Sequence, residues 1–295
     1  MESRNEILGI FLVLCIAACF AMANTLAGLA YTGGADALSV STSRFLLPAL
    51  ILLAILAVRA RPILMPKRDA LTSIALGLVT AVYTWLLLSS IELLPVPLAV
   101  LIFYLFPLFT TFIVSALGWE KLYRVNIIAA IVAFAGLTLV LGVSGEGLHM
   151  QGVFYAVLAA IGLATVSAVS KRVIRTGDPR QATLYMAATA TVAFLLVTLT
   201  SGEFHLPTTE PGWWGFVATN IFYAVAMIGY FVAISLIGPA KTTLFSYLEP
   251  LVATAAAWIL LDQTLEPLQF VGIAIVIGAL IAAARAGLRA GQAKA

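Results

Sequence analysis

Residues 127–143 read IIAAIVAFAGLTLVLGV, a run of seventeen residues without a charged side chain. A helix needs about 20 mostly apolar residues to cross the roughly 30 Å hydrocarbon core of a bilayer. Nine further apolar runs of comparable length occupy the rest of the chain, separated by short polar segments. Of the 295 residues, 62% are hydrophobic and 10% are charged, and the mean hydropathy is +1.09. A soluble protein needs more charge to cover its surface, so the sequence predicts an all-α integral membrane protein.

Glycine, proline and polar residues mark the ends of ten predicted transmembrane helices. Gly33-Gly34 and Asp36 separate the first two, whereas the joints at Leu94-Pro95 and Gly238-Pro239 are so short that a count of eight or nine stays open. The first run follows a net acidic segment and exceeds the apolar core of a signal peptide, so we expect it to remain as a helix. The predicted helices are 7–31, 38–58, 71–92, 95–116, 124–143, 150–174, 181–200, 213–236, 239–261 and 267–285.

The positive charges give these helices an orientation, because Lys and Arg concentrate in the cytoplasmic loops of inner-membrane proteins. With ten helices and a cytoplasmic N-terminus, every Lys and Arg except Arg44 and Lys241 falls on the cytoplasmic side. The opposite loops carry only acidic charges, at Asp36, Glu146, Glu203, Glu210, Asp262 and Glu266. The sequence therefore predicts a multi-pass protein of a bacterial-type inner (plasma) membrane with both termini in the cytoplasm. We attribute the net charge of +3 to this orientation and expect no nucleic-acid partner.

The two halves of the chain resemble each other at a shift of 142–143 residues. The segment 104–107 (YLFP) aligns with 247–250 (YLEP), Glu120 with Asp262, and Asn24 with Ser167. Each half holds five predicted helices, an odd number, so the second copy must be inverted in the membrane. Inverted repeats commonly place a binding site near the bilayer midplane between the copies. We therefore expect two inverted five-helix repeats, residues 1–145 and 146–295, around a central cavity.

One segment identifies a family. Residues 238–250 (GPAKTTLFSYLEP), continuing to 258–262 (WILLD), resemble the ninth-helix signature of the drug/metabolite transporter superfamily in its EamA-type branch. The weaker copy in the first half and Arg44-Phe45 near the start of the second helix are similar to the same pattern. Asp262 departs from it, because Glu is the more usual residue there. The resemblance extends over the whole chain. Within this branch, the sequence most resembles the YddG-type amino-acid exporters. The resemblance implies ten helices in two inverted halves around a cavity.

Pro107 and Pro250 mark two predicted bends inside apolar helices. Proline has no amide hydrogen, so the carbonyls of Phe103 and Ser246 lose their helical partners. In a membrane, such carbonyls persist only where protein, water or ligand satisfies them. The prolines are predicted hinge or gating residues of two bent helices that face the solute, although they could instead only shape helix packing.

Glu249 is a carboxylate within an apolar helix, a placement that costs about 2.5–3.5 kcal/mol on insertion scales. It could bind a solute ammonium, relay a proton, or pair with Lys241 or Arg44. It could also serve as a structural group near a helix end. Arg44 and Lys241 could equally extend to the membrane interface.

Aromatic and small polar side chains inside the predicted helices are the remaining candidates. Tyrosine rings can stack against a solute, while their hydroxyls and a few polar groups orient it. Plain packing is the alternative for each of them. Together with Glu249, the predicted solute-binding residues are Asn24, Tyr83, Phe103, Tyr104, Ser167, Tyr223, Tyr230, Ser246 and Tyr247.

The resemblance implies export of small metabolites, in particular aromatic or other neutral amino acids, by alternating access. An intramembrane enzyme acting on lipid or peptide, or a non-saturating channel, remains an alternative, although Glu249 has no evident catalytic partner. The chain has no GxSxG, HExxH or P-loop pattern, and its two histidines fall in loops, so we expect no cofactor and no metal. The expected partners are a small-molecule solute and the lipid bilayer. The oligomeric state stays open, and a monomer would suffice.

Overall fold

The computed structural model describes residues 2–120, 124–142, 148–202, 204–260 and 265–292. Within these ranges every regular element is an α-helix, so the all-helical prediction is confirmed there. The twelve helices of the described ranges are α1 (Glu2–Thr32), α2 (Ala37–Val58), α3 (Lys67–Leu93), α4 (Val96–Phe103), α5 (Phe106–Ala116), α6 (Arg124–Val140), α7 (Met150–Thr176), α8 (Pro179–Ser201), α9 (Glu210–Ile237), α10 (Pro239–Phe245), α11 (Leu248–Leu260) and α12 (Pro267–Gln292).

Most of these helices have the length and composition of membrane spans. Within the described ranges, α6 is apolar but shorter, at 17 residues. Large apolar side chains cover the outside of the molecule, and Phe112 and Leu199 are each 71% exposed. Such a surface is stable in lipid, where it avoids contact with water. The chain is therefore a multi-pass membrane protein. Eight described segments are long and apolar enough to cross a bilayer: Ile7–Thr32, Ala37–Val58, Lys67–Leu93, Val96–Ala116, Met150–Ile174, Pro179–Ser201, Glu210–Ile237 and Pro267–Ala286.

The structure differs from the sequence prediction at the two proline-containing helices. The predicted helix 95–116 is divided into α4 and α5 by a turn at residues 104–105. The predicted helix 239–261 is divided into α10 and α11 by a turn at residues 246–247. Each second segment begins just before its proline, because a proline in the first helical turn needs no amide partner. The charged residues Lys121, Glu146, Glu203, Asp262 and Lys294 lie outside the described residues.

Antiparallel helix pairs frame the interior of the molecule, and glycines allow their close approach. The end of α1 meets the start of α9, where a Cβ on Gly33 would collide with the Cα of Gly212. The end of α3 meets the start of α7, where a Cβ on Gly152 would lie 2.7 Å from the Cγ of Leu94. Deeper along this second pair, a Cβ on Gly162 would lie 2.6 Å from the Cβ of Tyr83. These close contacts fix how α3 and α9 present their side chains to the space between them.

Asp36 caps α2 and joins it to the segment before α9. Its Oδ1 accepts a 2.6 Å hydrogen bond from the Ser39 amide, and its Oδ2 accepts one of 2.6 Å from the His205 amide. The Nδ1 of His205 also lies 3.0 Å from Oδ2. Burial by itself would raise the pKa of Asp36, but these hydrogen bonds hold it below its usual value. The charged form of Asp36 is therefore the form that the fold stabilises.

Candidate functional site

A cavity of about 170 Å³ lies between α1, α2, α3, α7 and α9 and the two broken helices. This volume is many times larger than the space that one water molecule needs. Both halves of the chain contribute to the wall. The lining residues are Phe20, Asn24, Ser41, Arg44, Phe45, Thr80, Tyr83, Thr84, Leu87, Phe103, Phe106, Leu163, Tyr223, Met227, Tyr230, Phe231, Ser246 and Glu249.

Aromatic rings form much of the wall, and they pack against one another as well as facing the cavity. The ring of Tyr223 meets the rings of Phe20 and Phe45 edge to face, each with centroids 5.6 Å apart. Across the cavity, Tyr83 stacks on Phe103 with centroids 6.3 Å apart. Rings held in this way by their neighbours offer a solute a preformed apolar surface that loses little entropy on binding.

Glu249 provides an acidic side chain in this wall. The Nδ2 of Asn24, in α1, donates a 2.9 Å hydrogen bond to its Oε1, and the side chain of Tyr104 also reaches the carboxylate. Glu249 is the second residue of α11, where the amide groups of the first turn favour a negative charge. The Asn24 side chain is exposed to the cavity although it lies well inside α1. Glu249 is therefore held in place by its neighbours while remaining at the cavity wall.

Arg44 provides a positive charge in the same wall, and the predicted site did not include it. Its guanidinium carbon lies 5.4 Å from the centre of the Tyr223 ring. Its Nη2 donates to the Ala23 carbonyl at 3.3 Å and to the Thr219 hydroxyl at 3.0 Å. The side chain thus turns inward, toward α1 and α9, instead of extending to the membrane interface. The spacing of Ser41, Arg44 and Phe45 along one face of α2 was a signal that could have placed it there.

The structure brings seven of the predicted solute-binding residues to the cavity wall: Asn24, Tyr83, Phe103, Tyr223, Tyr230, Ser246 and Glu249. Prediction from the sequence missed Thr80, Thr84 and Leu87, which share the face of α3 that carries Tyr83. Their spacing of three and four residues was the available signal. Trp85, another aromatic residue of α3, is 50% exposed on the outside and does not line the cavity.

Tyr104, Ser167 and Tyr247 lie behind the wall. Tyr247 is fully buried, and its hydroxyl donates to the Tyr104 carbonyl at 3.0 Å while the two rings stack 6.0 Å apart. Ser167 is also fully buried, and its hydroxyl lies 2.7 Å from that of Tyr230. The turns that break the two helices direct the tyrosines toward each other. In this structure they therefore connect helices instead of facing the cavity.

Pro107 and Pro250 stand in the first turns of α5 and α11, next to the breaks. The expectation that Pro250 leaves the Ser246 carbonyl without a partner is wrong, because the Glu249 amide donates to that carbonyl at 3.0 Å. The tighter hydrogen bond closes the turn that Pro250 would otherwise leave open. In the first half, the Tyr104 carbonyl accepts a hydrogen bond from the Tyr247 hydroxyl. The Ser246 and Tyr104 carbonyls at the two breaks are thus satisfied within the protein, as the interior of a membrane protein requires.

A second cluster, of charged and aromatic side chains, lines a pocket of about 230 Å³ between α5, α7 and the start of α10. Lys171, in α7, makes a 2.9 Å ion pair with Glu120, just after α5. The Gly238 backbone, between α9 and α10, packs so closely on this pair that a Cβ there would collide with the Glu120 carboxylate. Beside it, the Arg172 guanidinium carbon lies 5.1 Å from the centre of the Trp119 ring. These contacts join the first half of the chain to the second.

Comparison with known proteins identifies the family. The family model described as "EamA-like transporter family" matches residues 7–142 and, a second time, residues 150–285. The chain belongs to the EamA-like transporter family. This confirms the family resemblance found in the sequence, and it makes the chain a membrane transporter.

Two further similarities agree with the family. The uncharacterized transporter YxxF of Bacillus subtilis (strain 168) is 23% identical over 220 residues, which cover 72% of this chain and 70% of the relative. A solved protein crystal structure shares 19% sequence identity with this EamA-like chain and superposes with a TM-score of 0.78. The superposition covers 96% of this chain and 97% of the other. At that identity, the match shows a common fold alone.

Proposed function

We propose that this EamA-like transporter exports small metabolites, above all aromatic or other neutral amino acids, through the central cavity by alternating access. The observation that carries the proposal is a single cavity whose aromatic wall also holds the Glu249 carboxylate. An aromatic or apolar side chain fits such a wall, and an ammonium group is the natural partner of a buried carboxylate. The YddG-type resemblance of the sequence favours the same class of solute.

The proposed architecture is ten transmembrane helices in two inverted repeats, residues 1–145 and 146–295. In it, α4 with α5, and α10 with α11, each form one broken span. The two family matches support it, because 7–142 and 150–285 are displaced by 143 residues at both ends. The antiparallel pairs support it too. The contact of α1 with α9 has its counterpart in the contact of α7 with α3, as a twofold relation between the halves requires.

The same displacement relates residues of the cavity wall. It pairs Phe20 with Leu163, Phe103 with Ser246, and Phe106 with Glu249, and all six line the cavity. A site built from equivalent positions of two inverted copies is the usual arrangement near the midplane of such transporters. The carboxylate occurs in one copy only, so the wall is symmetric in position and asymmetric in charge.

We further propose an inner-membrane location with both termini in the cytoplasm, following the distribution of Lys and Arg. The end that carries the ion pair of Glu120 and Lys171 is then cytoplasmic. The position equivalent to Lys171 in the first half is Gly28. A Cβ there would meet no described atom within 4 Å, so the ion pair has no counterpart at this position. An ion pair that is present in one half only makes the two ends of the bundle different, which supports alternating access over a continuous channel.

Counterflow in liposomes tests the proposal. The purified full-length protein is reconstituted with a high internal concentration of one unlabelled amino acid, and uptake of the labelled amino acid is followed across a broad metabolite panel. We expect saturable counterflow for neutral amino acids. We also expect its loss in Glu249→Gln and its persistence in Glu92→Gln, which alters an exposed carboxylate at the end of α3. Flux that never saturates would identify a channel, and no flux for any metabolite would contradict the proposal.

A further inference from the structure

Arg44 and Glu249 are opposite charges that line one cavity without pairing with each other. The ion pairs of Lys171 with Glu120 and of His205 with Asp36 involve neither of these two side chains. Each of the two cavity charges is instead held by neutral groups. Asn24 holds Glu249, and the Ala23 carbonyl and the Thr219 hydroxyl hold Arg44.

The two anchors are consecutive residues of α1, so both charges approach the same turn of that helix. Arg44 reaches it from α2, in the first half of the chain, and Glu249 reaches it from α11, in the second half. Two free opposite charges in an apolar cavity attract strongly. In this structure each of them is instead hydrogen-bonded to its own neutral partners at a similar position along α1.

The guanidinium of Arg44 retains donors for a further partner. Arginine has five N–H donors, and within the described residues the hydrogen bonds of Arg44 all leave from Nη2. Its Nε is buried there without an acceptor. A buried donor without a partner is unfavourable, and a carboxylate binds a guanidinium through two parallel hydrogen bonds. The buried Nε is out of reach of a solute, but Nη1, which makes no hydrogen bond within the described residues and is not buried, can donate to an anionic oxygen that a solute delivers.

We propose that Arg44 binds the carboxylate of a solute whose ammonium group binds Glu249, so that the cavity selects amphoteric solutes. This inference rests on the proposed function and specifies how the solute is recognised. The site carries one charge of each sign, so a zwitterion leaves neither charge unpaired. A solute with an ammonium alone or a carboxylate alone leaves the other protein charge without a partner in an apolar cavity, which opposes binding. The stacked wall of Tyr83 and Phe103 then receives the solute's side chain.

Displacement of a labelled neutral L-amino acid from the purified full-length protein in detergent tests this selection. The competitors are the amino acid itself, its amide and its des-amino acid; for L-phenylalanine these are L-phenylalaninamide and 3-phenylpropanoate. We expect the intact amino acid to displace the label at concentrations about 10- to 100-fold lower than either analogue, the range of one charge-assisted hydrogen bond. If the amino acid and its amide displace the label equally well from the wild-type protein, the cavity does not bind the solute's carboxylate. That result alone would overturn the proposal.

Variants assign the two ends of the solute. In Arg44→Gln the amino acid should lose its advantage over the amide and keep its advantage over the des-amino acid. In Glu249→Gln the amino acid should lose its advantage over the des-amino acid and keep its advantage over the amide. Arg44→Lys should recover part of the preference for a carboxylate, and Arg61→Gln, at an exposed position after α2, should leave it unchanged.

Two results would reject this assignment. A preference for a carboxylate that survives in Arg44→Gln would overturn it, and so would a loss of affinity equal for all three compounds, since that would mark a purely structural residue. If no neutral amino acid binds the wild-type protein, the proposed function itself fails. If one binds and Arg44 does not discriminate, only the further inference fails.

Discussion

Removal of the Tyr247 hydroxyl tests how the two broken helices are coupled. In Tyr247→Phe the ring stays in its fully buried position, but the Tyr104 carbonyl loses the 3.0 Å hydrogen bond that it receives across the two halves. Among the described residues, no backbone amide donates to this carbonyl. A buried acceptor without a partner costs about 1–3 kcal/mol, whereas hydrogen bonds between membrane helices average about 0.6 and reach about 1.7 kcal/mol. We therefore expect the free energy of unfolding to fall by about 1–2 kcal/mol.

The assay is reversible unfolding of the purified protein in mixed micelles, with Tyr155→Phe as the matched control. Tyr155 also loses a hydroxyl bond, the 2.7 Å contact with the Gln151 Nε2, but at the exposed surface of α7. Surface changes of this kind stay within about 0.5 kcal/mol. Equal losses in the two variants, or no loss in Tyr247→Phe, would refute the reasoning that this hydrogen bond couples the helix breaks.

Four further predictions concern residues at or near the ends of helices. Gly238→Ala should lower the free energy of unfolding by about 1–3 kcal/mol, because its φ of +82° is strained for alanine and its Cβ would collide with Glu120. Gly28→Ala, with open space around its Cβ, should stay within about 1 kcal/mol of the wild type in the same unfolding assay. If the Glu120–Lys171 ion pair restricts access to the cavity, Lys171→Gln should speed the labelling of a cavity cysteine by a maleimide added from the cytoplasmic side. Exchanging the two charges of the pair should restore the slower labelling. An unchanged labelling rate in Lys171→Gln would exclude this role of the ion pair. The lowered pKa of Asp36 means that its charged form stabilises the fold above about pH 4, and that this contribution is lost as the pH falls through the folded-state pKa. Asp36→Asn should thus lower the melting temperature at pH 7. The melting temperatures of the variant and the wild type should become equal at more acidic pH. A difference in melting temperature that stays constant with pH would contradict this.

Sequence reasoning found the helices because the bilayer imposes a length and an apolar composition that are visible in any single run. It also located both helix breaks, since Pro107 and Pro250 lack the amide that would continue the helical hydrogen bonding, although Pro48 lies inside α2 without ending that helix. It found Asn24 and Glu249, because a polar group deep in an apolar run is costly and so points to an interior site.

The orientation of individual side chains was harder to predict. A membrane helix is apolar both toward lipid and toward its neighbours, so periodicity does not distinguish the two faces as it does in water. Trp85 and Tyr83 belong to the same run of α3, yet one faces outward and the other lines the cavity. Arg44 lies in the second turn of α2, where a long side chain could extend to the interface, and only the structure shows that it turns to Thr219. The turns before Pro107 and Pro250 rotate the tyrosines in a way that ideal helical spacing does not describe.

The central claim is that the solute passes through the cavity lined by Glu249 and its aromatic neighbours. The most direct test places a single cysteine in that cavity by Thr84→Cys, in a protein whose Cys15 and Cys19 are replaced, and measures amino-acid counterflow before and after reaction with a bulky maleimide. A cysteine introduced by Val58→Cys, at a position that is 87% exposed, is the control. We predict that labelling at position 84 stops counterflow and that labelling at position 58 leaves it intact. Counterflow that continues after complete labelling at position 84 would contradict the account.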